Sequence, residues 1–285
     1  MNTNIKLVEC PRDAMQGWPH FIPTEKKIEY INALLKVGFD TIDFGSFVSP
    51  KAIPQMADTV DVLKGLQLDN KKSKLLAIIA NKRGAEDALL HDEISYLGFP
   101  FSISETFQQR NTNSSIATSF ETVSTIQNLC VKNKKELVVY ISMGFGNPYG
   151  DPYDESIVYE WVNKMAGLDI RIISLADTVG LATKEQVSRV TKYVIDALPH
   201  IETGVHLHSA PHNRKEKLDA ALNAGCKRFD SAIKGIGGCP MAGDDLVGNM
   251  DTEIMISHFE KSGHSINIDI DQLGICNRLA SEIFI

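Results

Sequence analysis

The strongest constraint on the fold is an alternation repeated along the chain: a short β-branched apolar run, then a longer segment whose apolar residues recur at helical spacing. Eight such runs are read, at Ile5–Cys10, Thr41–Ser46, Leu75–Ala80, Ile94–Phe99, Leu137–Met143, Ile170–Ala176, Gly204–His208 and Arg228–Ile233. Between them the spacing predicts helices over Thr24–Val37, Arg83–His91, Ser119–Lys132, Asp154–Ala166, Lys184–Ala197 and Asn213–Ala224. Thr24 is read as the cap of the first of these and Gly38 as its stop. Strands alternating with helices imply a parallel sheet with right-handed crossovers. Eight units in a chain of 285 residues close most economically into a (β/α)8 TIM barrel, because closure removes both sheet edges.

An open doubly wound sheet is the alternative. Its dinucleotide-binding form would carry G-x-G-x-x-G after the first strand, where this chain has PRDAMQG. No linker or low-complexity tract interrupts the pattern, so one domain spanning residues 1–285 is expected, with a helical extension after Asn249 packed on the barrel or on a partner subunit.

Composition narrows the partners. Hydrophobic residues at 43% supply a core, and a net charge of −7 argues against a nucleic-acid ligand, whose phosphates need a dominant basic footprint. The cysteines, at 10, 130, 226, 239 and 276, are odd in number and form no C-x-x-C pair, which suits a reducing compartment. No signal peptide and no membrane span are read, and a cytoplasmic location is expected.

In a barrel the reactive side chains come from the strand C-termini and the loops that follow them. There stand Arg12, Asp13 and Gln16 after strand one, Asp43 and Ser46 at the end of strand two, and Asp177 and Thr178 at the end of strand six. Strand seven offers His206 and His208; after strand eight come Cys239 in GIGGCPMAG, Asn249 and Glu253. Residues i and i+2 of a strand face the same way, so VHLHS presents two imidazoles to one point. An isolated H-x-H on a buried strand is more often structural. Asp13 and the Asn249 amide oxygen would complete a mixed nitrogen and oxygen shell, suited to a catalytic Mg²⁺ or Mn²⁺ ion. Asp177 reads equally as a helix cap, and Cys239 as a small buried hydrophobe.

With ECPRDAMQG, DFGSFVSPKAIPQM, SLADTVG, VHLHS and GIGGCPMAG in view, the chain resembles the 3-hydroxy-3-methylglutaryl-CoA lyase family from about Val8 to Glu253. The resemblance implies a metal-dependent carbon–carbon lyase acting on an acyl-CoA to release acetoacetate and acetyl-CoA. It implies Asp13, His206, His208 and Asn249 as metal ligands and Arg12 at the enolate oxygen. Asp43, Asp177 and His206 would be acid/base or orienting groups, Cys239 would ride a closing loop, and Glu253 would support the site. Gln16, Ser46 and Thr178 would touch substrate, and a homodimer or higher homo-oligomer is implied.

Three departures stand out. Asp43 occupies a position where the family usually has Glu, SAPHNRKEK follows the second histidine in place of an acidic residue and a small-residue helix start, and the stretch from Cys239 to Asn249 is one residue longer. An acetyl-CoA-dependent Claisen synthase, a different acyl-CoA lyase and a non-catalytic metal-binding barrel remain as alternatives.

Overall fold

The computed structural model describes residues 5–69, 72–238 and 247–285. Its strands are β1 (Lys6–Glu9), β2 (Thr41–Ser46), β3 (Lys74–Ile78), β4 (Ile94–Ser102), β5 (Glu136–Ser142), β6 (Ile172–Asp177), β7 (Glu202–Leu207) and β8 (Arg228–Ser231). They pair in sequence order, all parallel, and β1 closes on β8 with Lys6 opposite Arg228 and Glu9 opposite Ser231. The barrel expected from the alternation is therefore the fold, and the open sheet is excluded.

The helices are α1 (Pro11–Gln16), α2 (Thr24–Val37), α3 (Thr59–Lys64), α4 (Lys82–Ala88), α5 (Glu105–Thr112), α6 (Ile116–Lys132), α7 (Glu155–Gly167), α8 (Lys184–Ala197), α9 (Arg214–Asn223), α10 (Thr252–Lys261) and α11 (Ile270–Ile283). Side-chain caps start many of them: Ser104 accepts the Phe107 N–H before α5, and Thr183 forms a reciprocal box with Gln186 before α8. α2 departs from its expected start. Pro23 holds the cap position and the Thr24 hydroxyl instead donates to Asp58, 2.7 Å away. Gly38 ends α2 at φ +102°, and a Cβ there would meet the Asn267 carbonyl oxygen at 2.7 Å. α11 packs against α2, so the C-terminal extension covers the outside of the barrel beside β1 and β2.

Two apolar layers result. The larger lies between sheet and helices; the smaller fills the lumen with Leu76, Ile78, Tyr96, Val138, Tyr140 and Ile172. Gly98 makes room for the latter, since a Cβ there would lie 2.6 Å from Ile78 Cδ1. No helix among the described residues is long and apolar enough to cross a membrane.

Candidate active site

The strand periodicity decides what reaches the C-terminal mouth. Alternate residues Tyr140 and Ser142 of β5, Ala176 and Thr178 at the end of β6, and His206 of β7 with His208 just beyond it point inward and line one cavity of about 260 Å³. Arg12, Asp13 and Gln16 of α1 form a second wall. Val48, Ala52, Ile53 and Phe107 supply an apolar third, with Asn111 and Thr112 of α5 at the rim. A wider hollow between α7, α8 and α9 is lined by paired surface charges such as Lys184 with Glu216.

At the floor of the cavity one carboxylate oxygen of Asp13 and a ring nitrogen from each of His206 and His208 lie within 4.8 Å of one another. Two donors on one ion at bond lengths near 2.1 Å sit up to about 4.2 Å apart, so a small inward movement would seat a cation. The other ring nitrogen of each histidine is already occupied: His206 Nδ1 lies 3.0 Å from Asp230 Oδ2, and His208 Nδ1 lies 2.9 Å from the Val247 carbonyl oxygen. That is the arrangement that fixes ring orientation and leaves Nε2 for a metal. Asn249 pairs with His208 through the backbone, and its Nδ2 donates to Asp13 Oδ2 at 2.7 Å and to the Ile236 carbonyl at 2.9 Å. Two acceptors around Nδ2 settle which way the amide faces and leave Oδ1 as the atom that could serve a cation. The donor set thus fits a divalent ion.

Electrostatics agree with this geometry. Burial alone would raise the Asp13 pKa, but Arg12, the two imidazoles and the Asn249 amide outweigh it and hold Asp13 below the ordinary carboxylate value. Burial pulls His208 down, with His206 adding to the effect. For His206 burial acts in the same direction but is overcome by Asp230, and its pKa rises. Cys10 stands beside His206 and Asp230 as a further grouping of potential ligands. Burial, followed by the charges of Asp230 and Asp43, pushes its thiol well up and favours its protonated form.

Arg12 is held from two sides. Its Nε donates to both oxygens of Asp43, at 3.2 and 3.0 Å, its Nη2 donates to Asp43 Oδ2, and its Nη1 donates to Asp13 Oδ1 at 3.0 Å. The shorter side chain of Asp43 therefore reaches the guanidinium, and the carboxylate lies behind Arg12 rather than on the cavity wall. Burial lifts Asp43 to about 6 despite its cationic partner.

Other expected site residues are placed elsewhere. Asp177 lies between the inward-facing Ala176 and Thr178 and so points out of the lumen, where Lys217 Nζ donates to its Oδ2 at 2.7 Å and the Ala182 N–H to its Oδ1 at 3.1 Å. The cap of the following helix is Thr183, so Asp177 is not that cap either. Glu253 lies in the first turn of α10 and accepts the Lys234 N–H at 3.1 Å, bracing the turn after β8 instead of lining the cavity. Ser46 accepts the Val48 N–H at 3.2 Å and turns the chain so that Val48, not Ser46, meets the cavity. Thr178 and Gln16 do line it; Thr178 Oγ1 accepts the Met143 N–H and Gln16 Nε2 donates to Asp13 Oδ1 at 2.7 Å. Cys239 falls outside the described residues. Sequence reasoning passed over Asp230, Tyr140 and α5. For α5 the signal was present in Ser104, a helix cap ahead of Phe107.

A closed parallel barrel whose mouth carries two oriented imidazoles, a buried carboxylate and a clamped guanidinium defines the class: a parallel barrel whose donor set at the C-terminal mouth fits a cation. The family model described as HMGL-like matches residues 4–279, and the chain belongs to that family. It is 32% identical over 263 residues to hydroxymethylglutaryl-CoA lyase YngG of Bacillus subtilis, covering 92% of this chain and 87% of the relative. It is 31% identical over 272 residues to the mitochondrial hydroxymethylglutaryl-CoA lyase of Mus musculus, covering 94% and 82%. Among solved structures, an HMG-CoA lyase from A. baumannii, in complex with coenzyme A and 3-methylmalate, superposes with a TM-score of 0.92 at 32% identity, covering 100% of this chain and 92% of that one. The Bacillus subtilis HMG-CoA lyase structure matches with a TM-score of 0.92 at 30% identity, covering 98% and 93%. The family that the motifs resemble is the family found.

Proposed function

We propose that the chain is a hydroxymethylglutaryl-CoA lyase, cleaving 3-hydroxy-3-methylglutaryl-CoA to acetoacetate and acetyl-CoA. The observation that carries this reading is the convergence of Asp13, His206 and His208 within 4.8 Å beside Arg12, in a chain whose relatives over nearly their whole length are lyases of this name. Asp13, His206, His208 and Asn249 would hold a divalent ion, which when bound polarises the tertiary hydroxyl of the substrate and fixes its orientation. Mg²⁺ or Mn²⁺ suits the oxygen donors among them.

The remaining chemistry falls to the chain's own groups. Arg12 spends three of its five N–H groups on Asp43 and Asp13, which leaves two for the thioester oxygen as negative charge gathers there on carbon–carbon cleavage. Asp43 keeps the guanidinium aimed, so the oxyanion meets donors that need no reorganisation. Asp230 fixes His206 in the same sense. Val48, Ile53 and Phe107 shed water from the side of the cavity that would receive the acyl chain, while Gln16 and Thr178 give polar contacts. Cys239, in the Gly-rich segment GIGGCPMAG, is proposed to deliver the proton that quenches the enolate.

The same reading extends to a cytoplasmic protein, supported by the four described thiols, all free and buried. It extends also to a homo-oligomer, for which the exposed Ile254 of α10 and Ile270 of α11 offer apolar surface. The test is to supply purified protein with 3-hydroxy-3-methylglutaryl-CoA and Mg²⁺ and to measure acetoacetate. Turnover should vanish on chelation and return with metal. A metal-loaded protein that releases no acetoacetate, or a verified metal-free one that is fully active, sinks the proposal.

A further inference from the structure

His208 sits one residue beyond the last residue of β7, where the ladder to β6 has ended with Asp177 opposite Leu207 and the ladder to β8 has ended earlier, at Val205. Its carbonyl therefore has no neighbouring strand to hold it. What it has is Lys217, from the first turns of α9. The Lys217 ammonium is 1% exposed, and it donates to the His208 carbonyl oxygen at 2.9 Å, to the Gly180 carbonyl at 2.9 Å and to Asp177 Oδ2 at 2.7 Å. Three donors meet three acceptors on two separate pieces of chain, the β6–α8 turn and the end of β7, so the group is fully satisfied.

An ion pair with Asp177 alone would need one of these bonds. The other two tie the β6–α8 loop and the backbone of His208 to a single buried point. Arg214, three residues earlier on the same helical face, acts alongside: its Nε donates to Ser209 Oγ at 3.2 Å and its Nη1 to Asp251 Oδ2 at 3.3 Å, the two residues bracketing the paired segment of His208 and Asn249. α9 has no side-chain cap from Asn213, whose Oδ1 instead accepts the Ala210 N–H, so its start is fixed by these buried cations.

We infer that Lys217 is a positioning residue for the metal site: its ammonium holds the His208 carbonyl, which lies beyond the ladders to β6 and β8, and thereby sets the aim of the His208 imidazole. This rests on the reading of Asp13, His206 and His208 as cation ligands. Held at its backbone by Lys217 and at Nδ1 by the Val247 carbonyl, the ring is left with little freedom except to present Nε2. The SAPHNRKEK segment, otherwise a charged surface helix by its composition, is on this account part of the site's support.

Mn²⁺ affinity, read by calorimetry and by electron paramagnetic resonance, tests the inference without relying on turnover. Lys217→Met should bind Mn²⁺ about 10- to 100-fold more weakly than the unmodified chain. Because that variant leaves Asp177 buried without its cation and can unfold, the decisive protein is the double variant Asp177→Leu/Lys217→Met, which removes the buried pair together and should stay folded. It should melt near the unmodified chain yet show the same weakened Mn²⁺ binding and a broadened spectrum. A folded double variant with undiminished affinity overturns the inference, reducing Lys217 to a partner for Asp177. An unmodified chain that takes up no Mn²⁺ overturns the metal reading itself and the inference with it, and that control separates the two failures.

Discussion

The two ends of the barrel both bury charge and use it in opposite ways. At the N-terminal end, Arg228 of β8 is 1% exposed and reaches Asp40 at 3.4 Å, Glu202 at 3.2 Å and the Thr41 hydroxyl at 3.4 Å, with its guanidinium 5.8 Å from the Tyr96 ring. Gly204 lets it pass, since a Cβ there would sit 3.2 Å from the arginine stem. Lys6 pairs with Glu202 at 2.6 Å, and Lys74 donates to the Tyr96 hydroxyl at 2.6 Å. Every one of these groups is answered by another protein group, and the result is a plug. At the C-terminal mouth Arg12 keeps two N–H groups beyond those given to Asp43 and Asp13, and one donor atom from each of Asp13, His206 and His208 lies within 4.8 Å of the others. Charge answered on all sides marks the end that stabilises, and nitrogen and oxygen donors converging on one point mark the end at which catalysis is proposed, in line with the division of labour in barrels of this kind.

The contrast is open to direct attack. Asp13→Asn, which keeps an acceptor for the Gln16 amide or the Asn249 amide but not both and loses the charge, should lower turnover by about 10³-fold through loss of the cation, while the thermal midpoint moves by only a few degrees. Steady-state kinetics beside a thermal melt would show it, and an active Asp13→Asn protein would place the reactive centre elsewhere. Arg228→Met should do the reverse: it leaves Glu202 and Asp40 short of a cation and should cost roughly 3–5 kcal/mol of stability, with kcat per folded molecule unchanged. Denaturant titration and active-site-normalised kinetics together decide this, and a loss of kcat would mean that the two ends are coupled.

A further buried acid, at the last residue of β1, sharpens the rule. Glu9 is fully buried, and its bonds go to the Ile233 N–H at 2.8 Å and the Thr252 hydroxyl at 2.6 Å rather than to a cation. Burial raises its pKa from 4.5 to about 8. The folded state therefore favours the protonated acid. Its contribution to stability is complete below pH 4.5 and is lost as the pH climbs through the interval up to about 8. Glu9→Gln, which can keep both bonds with no charge to desolvate, should flatten that slope and gain on the order of 2 kcal/mol over the unmodified chain at pH 8 relative to pH 6. Parallel stability curves for the two proteins across this range would refute the assignment.

Much of this could be read from residue order. The strand and helix alternation decided the barrel, because eight units of the right length leave few other ways to bury their apolar faces. VHLHS and the Arg12–Asp13 pair pointed to the mouth because strand periodicity is local and needs no tertiary knowledge. What stayed hidden depended on distant partners. Asp230 is a lone acid in the short run RFDSA, and only closure of β8 beside β7 brings it to His206. Asp177 looked reactive because it ends a strand, yet a residue 40 positions away claims its carboxylate. Lys217 sits in a charged stretch, RKEK, that reads as a solvated face, and nothing in that pattern separates the buried lysine from its exposed neighbour Lys215. The start of α2 was misread because Pro23 already fixes the backbone there and frees the Thr24 hydroxyl for Asp58.

The hydrogen bonds around Asp13 carry one more consequence. Its two oxygens receive Arg12, Gln16 and Asn249, so this acid is content within the protein whether or not an ion is near. An ion held there as proposed would be a dissociable reagent rather than a strut: the barrel could be stripped and reloaded without refolding, and free-metal concentration would become a dial on how much of the population is competent at any moment.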